Sequence, residues 1–213
     1  MARRLRVLVA DDHPIVRSGL RQMLADAPDV EEVGEAADPQ QVLDLARARD
    51  WDVIVLDISL PGRGGLDVLK TLKDERPKRP VLILSMHAEN QYAVRTLRAG
   101  AAGYLTKEAA PERLLEAIRK VAAGGRYISP AVADQLAGVI GGDAAAPPHQ
   151  SLSDREFEVL RLIASGKTVG EIAKLLSLSV KTVSSYRARI LEKTGLKNNA
   201  GIMRYALEHR LVE

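Results

Sequence analysis

Along residues 5–124, short apolar runs alternate with stretches whose apolar positions recur every three or four residues. RVLVA precedes IVRSGLRQMLA, EEVGEA precedes PQQVLDLARA, VIVL precedes GLDVLKTLKD, VLILS precedes QYAVRTLRAG, and GYLT precedes PERLLEAIRKVAAG. Short continuous apolar runs mark strands covered on both faces, and the longer recurrence marks amphipathic helices. Five such units in succession predict a parallel sheet with helices on both sides. After residue 151 the strand pattern stops. LSDREFEVLRLIASG, TVGEIAKLLS, SVKTVSSYRARILEKTG and NAGIMRYALEHR all carry helical spacing, which predicts a small four-helix bundle. Between the two regions GGDAAAPPHQS, residues 141–151, breaks both periodicities with paired glycines and prolines and reads as a linker. The predicted organisation is an α/β domain over 1–125, a linker over 126–150 with a short helix at 130–140, and a helical domain over 151–213. No internal repeat is visible.

Composition narrows the class. The 213 residues are 46% hydrophobic, enough for two cores, and they include no cysteine, which excludes disulfides, thiolate metal sites and a cysteine nucleophile. No apolar run reaches the roughly 18 residues of a membrane span, and MARRLRVLVADD meets two acids where a signal peptide needs a cleavage site. A cytoplasmic protein with no membrane partner is expected. Net charge is +3, and its distribution matters more than its size. Residues 1–140 balance 20 Lys and Arg against 20 Asp and Glu, whereas 141–213 carry 11 against 8. Between Ile172 and Arg204 stand Lys174, Lys181, Arg187, Arg189, Lys193, Lys197 and Arg204, with Glu192 the one acid. That local excess suits a polyanion such as double-stranded DNA, although a solvated basic face gives the same count.

VIVLDISLPG, residues 53–62, poses the chemical question, because an apolar strand ends in Asp57, whose charge is costly to bury. In open parallel sheets, ligands sit beyond the carboxyl ends of the strands. Those ends here supply Asp11 and Asp12, then Asp57, Ser85 and Lys107. If the strands follow the order 2-1-3-4-5 known for flavodoxin-like sheets, the first and third are neighbours and three carboxylates converge. Converging carboxylates are stabilised by a hard divalent cation, and Mg2+ prefers a few protein oxygens completed by water and phosphate. A carboxylate can also attack phosphorus, with Lys107 neutralising the phosphoryl group and the Ser85 hydroxyl bonding one of its oxygens. Other readings exist for each piece. An Asp pair after a strand can cap the helix that begins near Pro14, a Ser or Lys at a strand end can simply be solvated, and Tyr104 can be an ordinary strand residue. His13 and His87 flank the region and are assigned no role. The five residues together, on successive strand ends, are the informative signal.

VLVADDHPIVRSGL, VIVLDISLPGRGGLDVL, LILSMHA and GAAGYLTK resemble the receiver domain of two-component response regulators, over residues 5 to about 124. The resemblance implies that Asp57 accepts a phosphoryl group from a sensor histidine kinase. It further implies that Asp11, Asp12, Asp57 and the backbone carbonyl of Ser59 bind Mg2+, that Ser85 and Lys107 assist catalysis, and that Ser85 and Tyr104 form the switch pair. One departure is Glu108, where many receivers have a proline after the lysine. An aspartate-nucleophile phosphatase on a similar sheet is the enzymatic rival. It would need a second acid two residues after the nucleophile, where this chain has Ser59, so no turnover enzyme is expected beyond self-catalysed phosphoryl transfer and slow dephosphorylation.

In the C-terminal region the spacing predicts a helix over 169–176, a turn over 177–179 and a third helix from Val180, which is a helix-turn-helix. On the third helix, Val183, Tyr186, Ile190 and Thr194 share one side, and Lys181, Ser184, Ser185, Ala188 and Glu192 the other. Small polar residues suit base edges, and flanking cations suit phosphates, so Lys181, Thr182, Ser184, Ser185, Ala188, Arg189 and Lys193 are the DNA-binding candidates. LSDREFEVLRLIASG, EIAKLL, LSVKTVSSYRARILEKTGLK and the closing YAL resemble the LuxR-type helix-turn-helix of the NarL/FixJ class. Tyr186 stands where that family usually has histidine, and Val169-Gly170 where Asn-Lys is common. Arg187 reads either as a brace to Glu156 or Glu171 or as a phosphate contact. In this class the last helix pairs two DNA-binding units, which makes Ile202, Met203 and Leu207 dimer candidates on a stripe that also includes Ala206. The combined expectation is a phosphorylation-dependent transcriptional regulator that is a homodimer when phosphorylated. Its rivals are a receiver whose helical tail binds protein and a regulator that works without phosphate.

Overall fold

The computed structural model describes residues 4–61, 64–86, 89–130, 132–134 and 147–212, and divides into two compact units, Met1–Gln135 and Leu136–Glu213. The first unit alternates β1 (Leu5–Ala10), α1 (Pro14–Ala25), β2 (Val30–Ala36), α2 (Pro39–Ala48), β3 (Val53–Asp57), α3 (Gly65–Glu75), β4 (Val81–Ser85), α4 (Glu89–Arg98), β5 (Gly103–Thr106) and α5 (Ala110–Ala122). All five strands are parallel in the order β2-β1-β3-β4-β5, the flavodoxin-like order expected. Strand side chains alternate between faces. Val7, Val9, Val53, Val55, Leu82, Leu84 and Leu105 pack on Leu20 and Leu24 of α1 and on Leu114, Ala117, Ile118 and Val121 of α5. Leu8, Ile54, Leu56, Ile83 and Tyr104, the intervening residues, are buried as well. Both faces are therefore covered, which is why β3 and β4 read as uninterrupted apolar runs.

Local chemistry starts the helices. Pro14, Pro39 and Pro111 occupy first-turn positions where a missing N–H costs nothing, and Asp38 caps α2 by accepting from the Gln41 N–H at 2.9 Å. Gly65 lets α3 begin directly against the end of β3. A Cβ there would overlap the Asp57 carbonyl oxygen and stand 2.6 Å from Ile58 Cα.

The first unit continues past residue 125, where the linker was expected to begin. Tyr127 pairs with the free edge of β5, donating to Ala102 O at 3.0 Å and accepting from Tyr104 N at 3.0 Å. Ser129 bonds the Glu89 carboxylate, and Val132 is 1% exposed. Edge pairing needs backbone groups and little side-chain pattern, so the sequence gives no sign of it. Pro130 and 132–134 are helical, and the remainder of the helix expected over 130–140 lies outside the described residues, as does most of the 141–151 linker.

Among the described residues, the second unit has a short 3-10 turn (Pro148–Ser151) and four helices: α6 (Asp154–Ala164), α7 (Val169–Leu175), α8 (Val180–Thr194) and α9 (Asn199–Glu208). Capping boxes open two of them. Ser153 and Glu156 exchange side-chain and backbone bonds at α6, and Thr168 and Glu171 do the same at α7. Phe157, Leu160, Ile163, Ile172, Val183, Ile190, Ile202 and Ala206 form the core. No helix among the described residues is long and apolar enough to cross a membrane.

Candidate phosphoacceptor pocket and DNA-reading helix

At the carboxyl edge of the sheet, β1 and β3 run side by side, with Ala10 opposite Leu56. Asp11 therefore emerges beside Asp57. Asp11 and Asp57 are each 1% exposed, whereas the Asp12 side chain is 32% exposed. One suitable ligand atom from each of Asp11, Asp12, His13 and Asp57 lies within 4.8 Å of all the others. Lys107, one residue past β5, reaches across with its Nζ 2.6 Å from Asp11 Oδ2 and 2.7 Å from Asp57 Oδ2. Its backbone N–H donates to Ser85 O at 2.8 Å, which fastens the end of β5 to the end of β4. Asp57 Oδ1 accepts from Ser59 N at 2.8 Å.

Burial pushes the Asp57 carboxyl above its ordinary range, and the Asp11 charge adds to that; the Lys107 ammonium and the Ser59 N–H oppose it. Burial by itself would lower the Lys107 ammonium, but the Asp11 and Asp57 carboxylates outweigh it and hold Lys107 above its usual value. The two directions pull opposite ways on the ion pair, since lost water favours a neutral Asp57 while the two carboxylates together favour a charged Lys107; the 2.7 Å contact is that of the charged pair. Asp11 Oδ2 meets the ammonium as an ion pair at 2.6 Å without accepting a well-directed hydrogen bond, and Asp12 Oδ1 is likewise buried without one. An array of buried carboxylate oxygens with spare acceptor capacity fits a hard divalent cation.

The structure thus brings together Asp11, Asp12, Asp57 and Lys107. Ser85 is fully buried at the end of β4, one residue beyond Leu84, the register partner of Asp57. Tyr104 sits two residues before Thr106, the partner of Ser85, and is 1% exposed. The helix-cap reading of the Asp pair is corrected, since the N-cap of α1 is His13; Asp11 Oδ1 instead accepts the His13 backbone N–H at 2.9 Å. The peptide after Lys107 is trans. Sequence reasoning noted His13 but gave it no role, and it overlooked Arg17. His13 Nδ1 is 2.8 Å from Asp12 Oδ1, and Arg17 Nη1 donates to the Asp11 carbonyl at 2.7 Å. His87 lies outside the described residues.

In the second unit, α7, a turn in which Ser177 takes φ 54°, and α8 form the helix-turn-helix. Val183 and Ile190 are buried, while Lys181, Ser184, Ser185, Ala188 and Arg189 are exposed along the opposite side of α8. Thr182 is half-buried, and its N–H and hydroxyl bond the capping Ser179 hydroxyl, so it helps to start the helix. Three expectations change. Lys193 Nζ bonds Glu156 Oε2 at 2.7 Å, and Glu156 is 2% exposed, so this lysine braces the capping box of α6 rather than presenting a free cation. Arg187, read either as a brace to Glu156 or Glu171 or as a phosphate contact, donates instead to Asn199 Oδ1 at 2.6 Å. Burial works to raise the Glu156 carboxyl, yet Lys193 and the Ser153 N–H prevail and hold it below its ordinary value. The SDRE spacing at residues 153–156 was the available signal. On α9, Ile202 is fully buried and belongs to the bundle core, which removes it from the dimer candidates; Met203 and Leu207 are 40% and 58% exposed.

Comparison with known proteins agrees with both units. Residues 7–119 match the response regulator receiver domain, and residues 150–206 match the luxR family of bacterial regulatory proteins. The chain is 38% identical over 208 residues to the response regulator UvrY of Escherichia coli, covering 97% of this chain and 95% of that one. It is 40% identical over 210 residues to the response regulator GacA of Pseudomonas aeruginosa, covering 98% of each. A solved structure of RcsB from Salmonella enterica serovar Typhimurium, bound to promoter rprA in the presence of the phosphomimetic BeF3-, superposes with a TM-score of 0.67 at 30% identity, covering 95% of this chain and 98% of that one. This chain, with its carboxylate pocket at one sheet edge and its helix-turn-helix beyond, belongs to the two-component response regulators that join a receiver domain to a LuxR-family DNA-binding domain.

Proposed function

We propose that a sensor histidine kinase phosphorylates this regulator on Asp57, and that the phosphorylated form binds promoter DNA as a homodimer through α8. The observation that carries the reading is the pocket: a buried carboxylate on a rigid strand end, 2.7 Å from a lysine ammonium and beside two further acids. In the transfer, an Asp57 oxygen forms a bond to phosphorus. The P–N bond of the kinase phosphohistidine breaks, and its electron pair leaves on the imidazole. Lys107 offsets the added negative charge, and the Ser85 hydroxyl supplies a hydrogen bond to a phosphoryl oxygen. The carboxylates of Asp11, Asp12 and Asp57 and the carbonyl of Ser59 would hold Mg2+, which when bound offsets charge on the transferring group. The same pocket would catalyse slow dephosphorylation by water, so the protein acts once per signal and not as a metabolic enzyme.

Drawing Ser85 and Lys107 toward a phosphoryl group would shift the β4 and β5 ends, and with them the buried Tyr104. That change biases the receiver toward its paired form. On DNA, Ser184, Ser185 and Ala188 face bases, while Lys181 and Arg189 meet phosphates, with Thr182 near the backbone. Met203 and Leu207 offer the apolar contact between two α9 helices. Action in the cytoplasm follows from a DNA target. The test is promoter affinity with and without a small-molecule phosphodonor and Mg2+. Tighter binding on phosphorylation supports the proposal. Equal affinity in wild type and Asp57→Asn under both conditions contradicts it.

A further inference from the structure

The ring of His13 stands at the rim of the acidic pocket, 64% exposed, without a task in the proposed chemistry. It makes no side-chain cap at the start of α1, although His13 is the N-cap residue there. Its backbone is held on both sides. The N–H donates to Asp11 Oδ1 at 2.9 Å, and Pro14 restricts His13 to its extended conformation, φ −85° and ψ 111°. The ring is thereby directed at the carboxylates, with Nδ1 2.8 Å from Asp12 Oδ1 and 3.3 Å from Asp11 Oδ1. Of the carboxylate atoms it faces, Asp12 Oδ1 is buried without a well-directed hydrogen bond, while Asp11 Oδ1 accepts the His13 N–H and Asp11 Oδ2 lies 2.6 Å from the Lys107 ammonium.

The spacing suits a shared ion. Ligand atoms on opposite sides of a small dication, at about 2.1 Å each, lie about 4.2 Å apart, and small adjustments bring a set spread over 4.8 Å to that size. The chemistry discriminates among ions. Magnesium takes oxygen ligands, whereas an imidazole nitrogen raises affinity for Mn2+, Co2+ and Ni2+ in increasing order. We propose that His13 is a nitrogen ligand in this pocket, so that the receiver holds first-row transition-metal dications through His13 Nδ1 as well as its carboxylates, while Mg2+ is held by oxygens alone. The proposal rests on the pocket being the cation site of the proposed function. A histidine that only hydrogen-bonds Asp12 would tune every cation alike.

The experiment measures Mg2+ and Ni2+ binding to the full chain by calorimetry, and records pulsed electron paramagnetic resonance of the Mn2+ form. It compares wild type, His13→Ala and Asp57→Asn. The imidazoles of His87, His149 and His209 are present in all three proteins and cancel. Wild-type Mn2+ is expected to show 14N coupling from a directly bound imidazole, lost in His13→Ala. Ni2+ affinity is expected to fall by about 10-fold or more in His13→Ala, with Mg2+ affinity within about 2-fold of wild type. Absence of 14N coupling in wild type, or an equal loss for Mg2+ and Ni2+ in His13→Ala, overturns the role of His13 and leaves the pocket reading standing. Mg2+ binding that is unmoved by Asp57→Asn overturns the pocket reading itself.

Discussion

Replacing Lys193 by alanine separates structural bracing from DNA contact in a helix where the two are easily confused. Lys193 Nζ is 2.7 Å from Glu156 Oε2, and the Glu156 carboxylate is almost fully buried while it also accepts the Ser153 N–H at 2.7 Å. Removing one member of a fully buried ion pair costs roughly 3–5 kcal/mol, because the other charge is left unsatisfied. The Lys193 side chain is 39% exposed, so water reaches the vacated position, and the Ser153 bond survives. The cost therefore falls to about 1–2 kcal/mol. For a unit of this size that lowers the transition by roughly 4–16 °C. Calorimetry of the full chain reads this directly. The salt dependence of DNA affinity gives the contrast: each lost phosphate contact reduces the slope of log affinity against log salt by about 0.9. Lys193→Ala is expected to lower the transition temperature of the helical unit and leave that slope unchanged. Lys181→Ala and Arg189→Ala are expected to do the reverse. A Lys193→Ala protein of unchanged stability whose slope drops by about one contact would refute the bracing argument.

Other consequences follow from the same geometry. Ile202→Ala should destabilise the helical unit by about 2–4 kcal/mol, whereas Leu207→Ala should change stability by less than about 0.5 kcal/mol and weaken dimerisation on DNA, as read by unfolding and sedimentation. Gly103→Ala places a Cβ 2.6 Å from the Tyr127 carbonyl oxygen and should release residues 127–129 from the β5 edge, seen as faster hydrogen exchange at the Tyr104 and Tyr127 amides. The folded state holds the Glu156 carboxyl below its unfolded value, so its contribution to stability is fully present above about pH 4.3 and is lost as pH falls through the lower, folded value. Glu156→Gln should flatten the acid limb of the stability curve, and an unaltered acid limb would contradict the assignment.

How much could be read in advance depended on how far each feature repeats. The five strand-helix units repeat a pattern over many residues, so VIVLD and VLILS announced buried parallel strands, and the strand-end rule then collected Asp57, Asp11, Asp12 and Lys107 from separate parts of the chain. Single side-chain pairings were not legible in this way. Lys193 and Arg189 look alike on a helical wheel, and only the fold shows that one of them meets the buried Glu156. Ile202 and Leu207 are equally apolar, and the division of the α9 stripe needed the positions of α6 and the rest of the core. The pairing of Tyr127 with β5 uses backbone groups alone, which no residue pattern advertises.

The central claim is that the carboxylate at the end of β3 is the group that takes the phosphoryl. Mass spectrometry of the intact chain and its peptides, after incubation with a small-molecule phosphodonor and Mg2+, tests it most directly. One phosphoryl group on the peptide containing Asp57, absent after Asp57→Asn, is the predicted result. Undiminished labelling of the Asp57→Asn protein, or a label on any other peptide of the wild type, would contradict it.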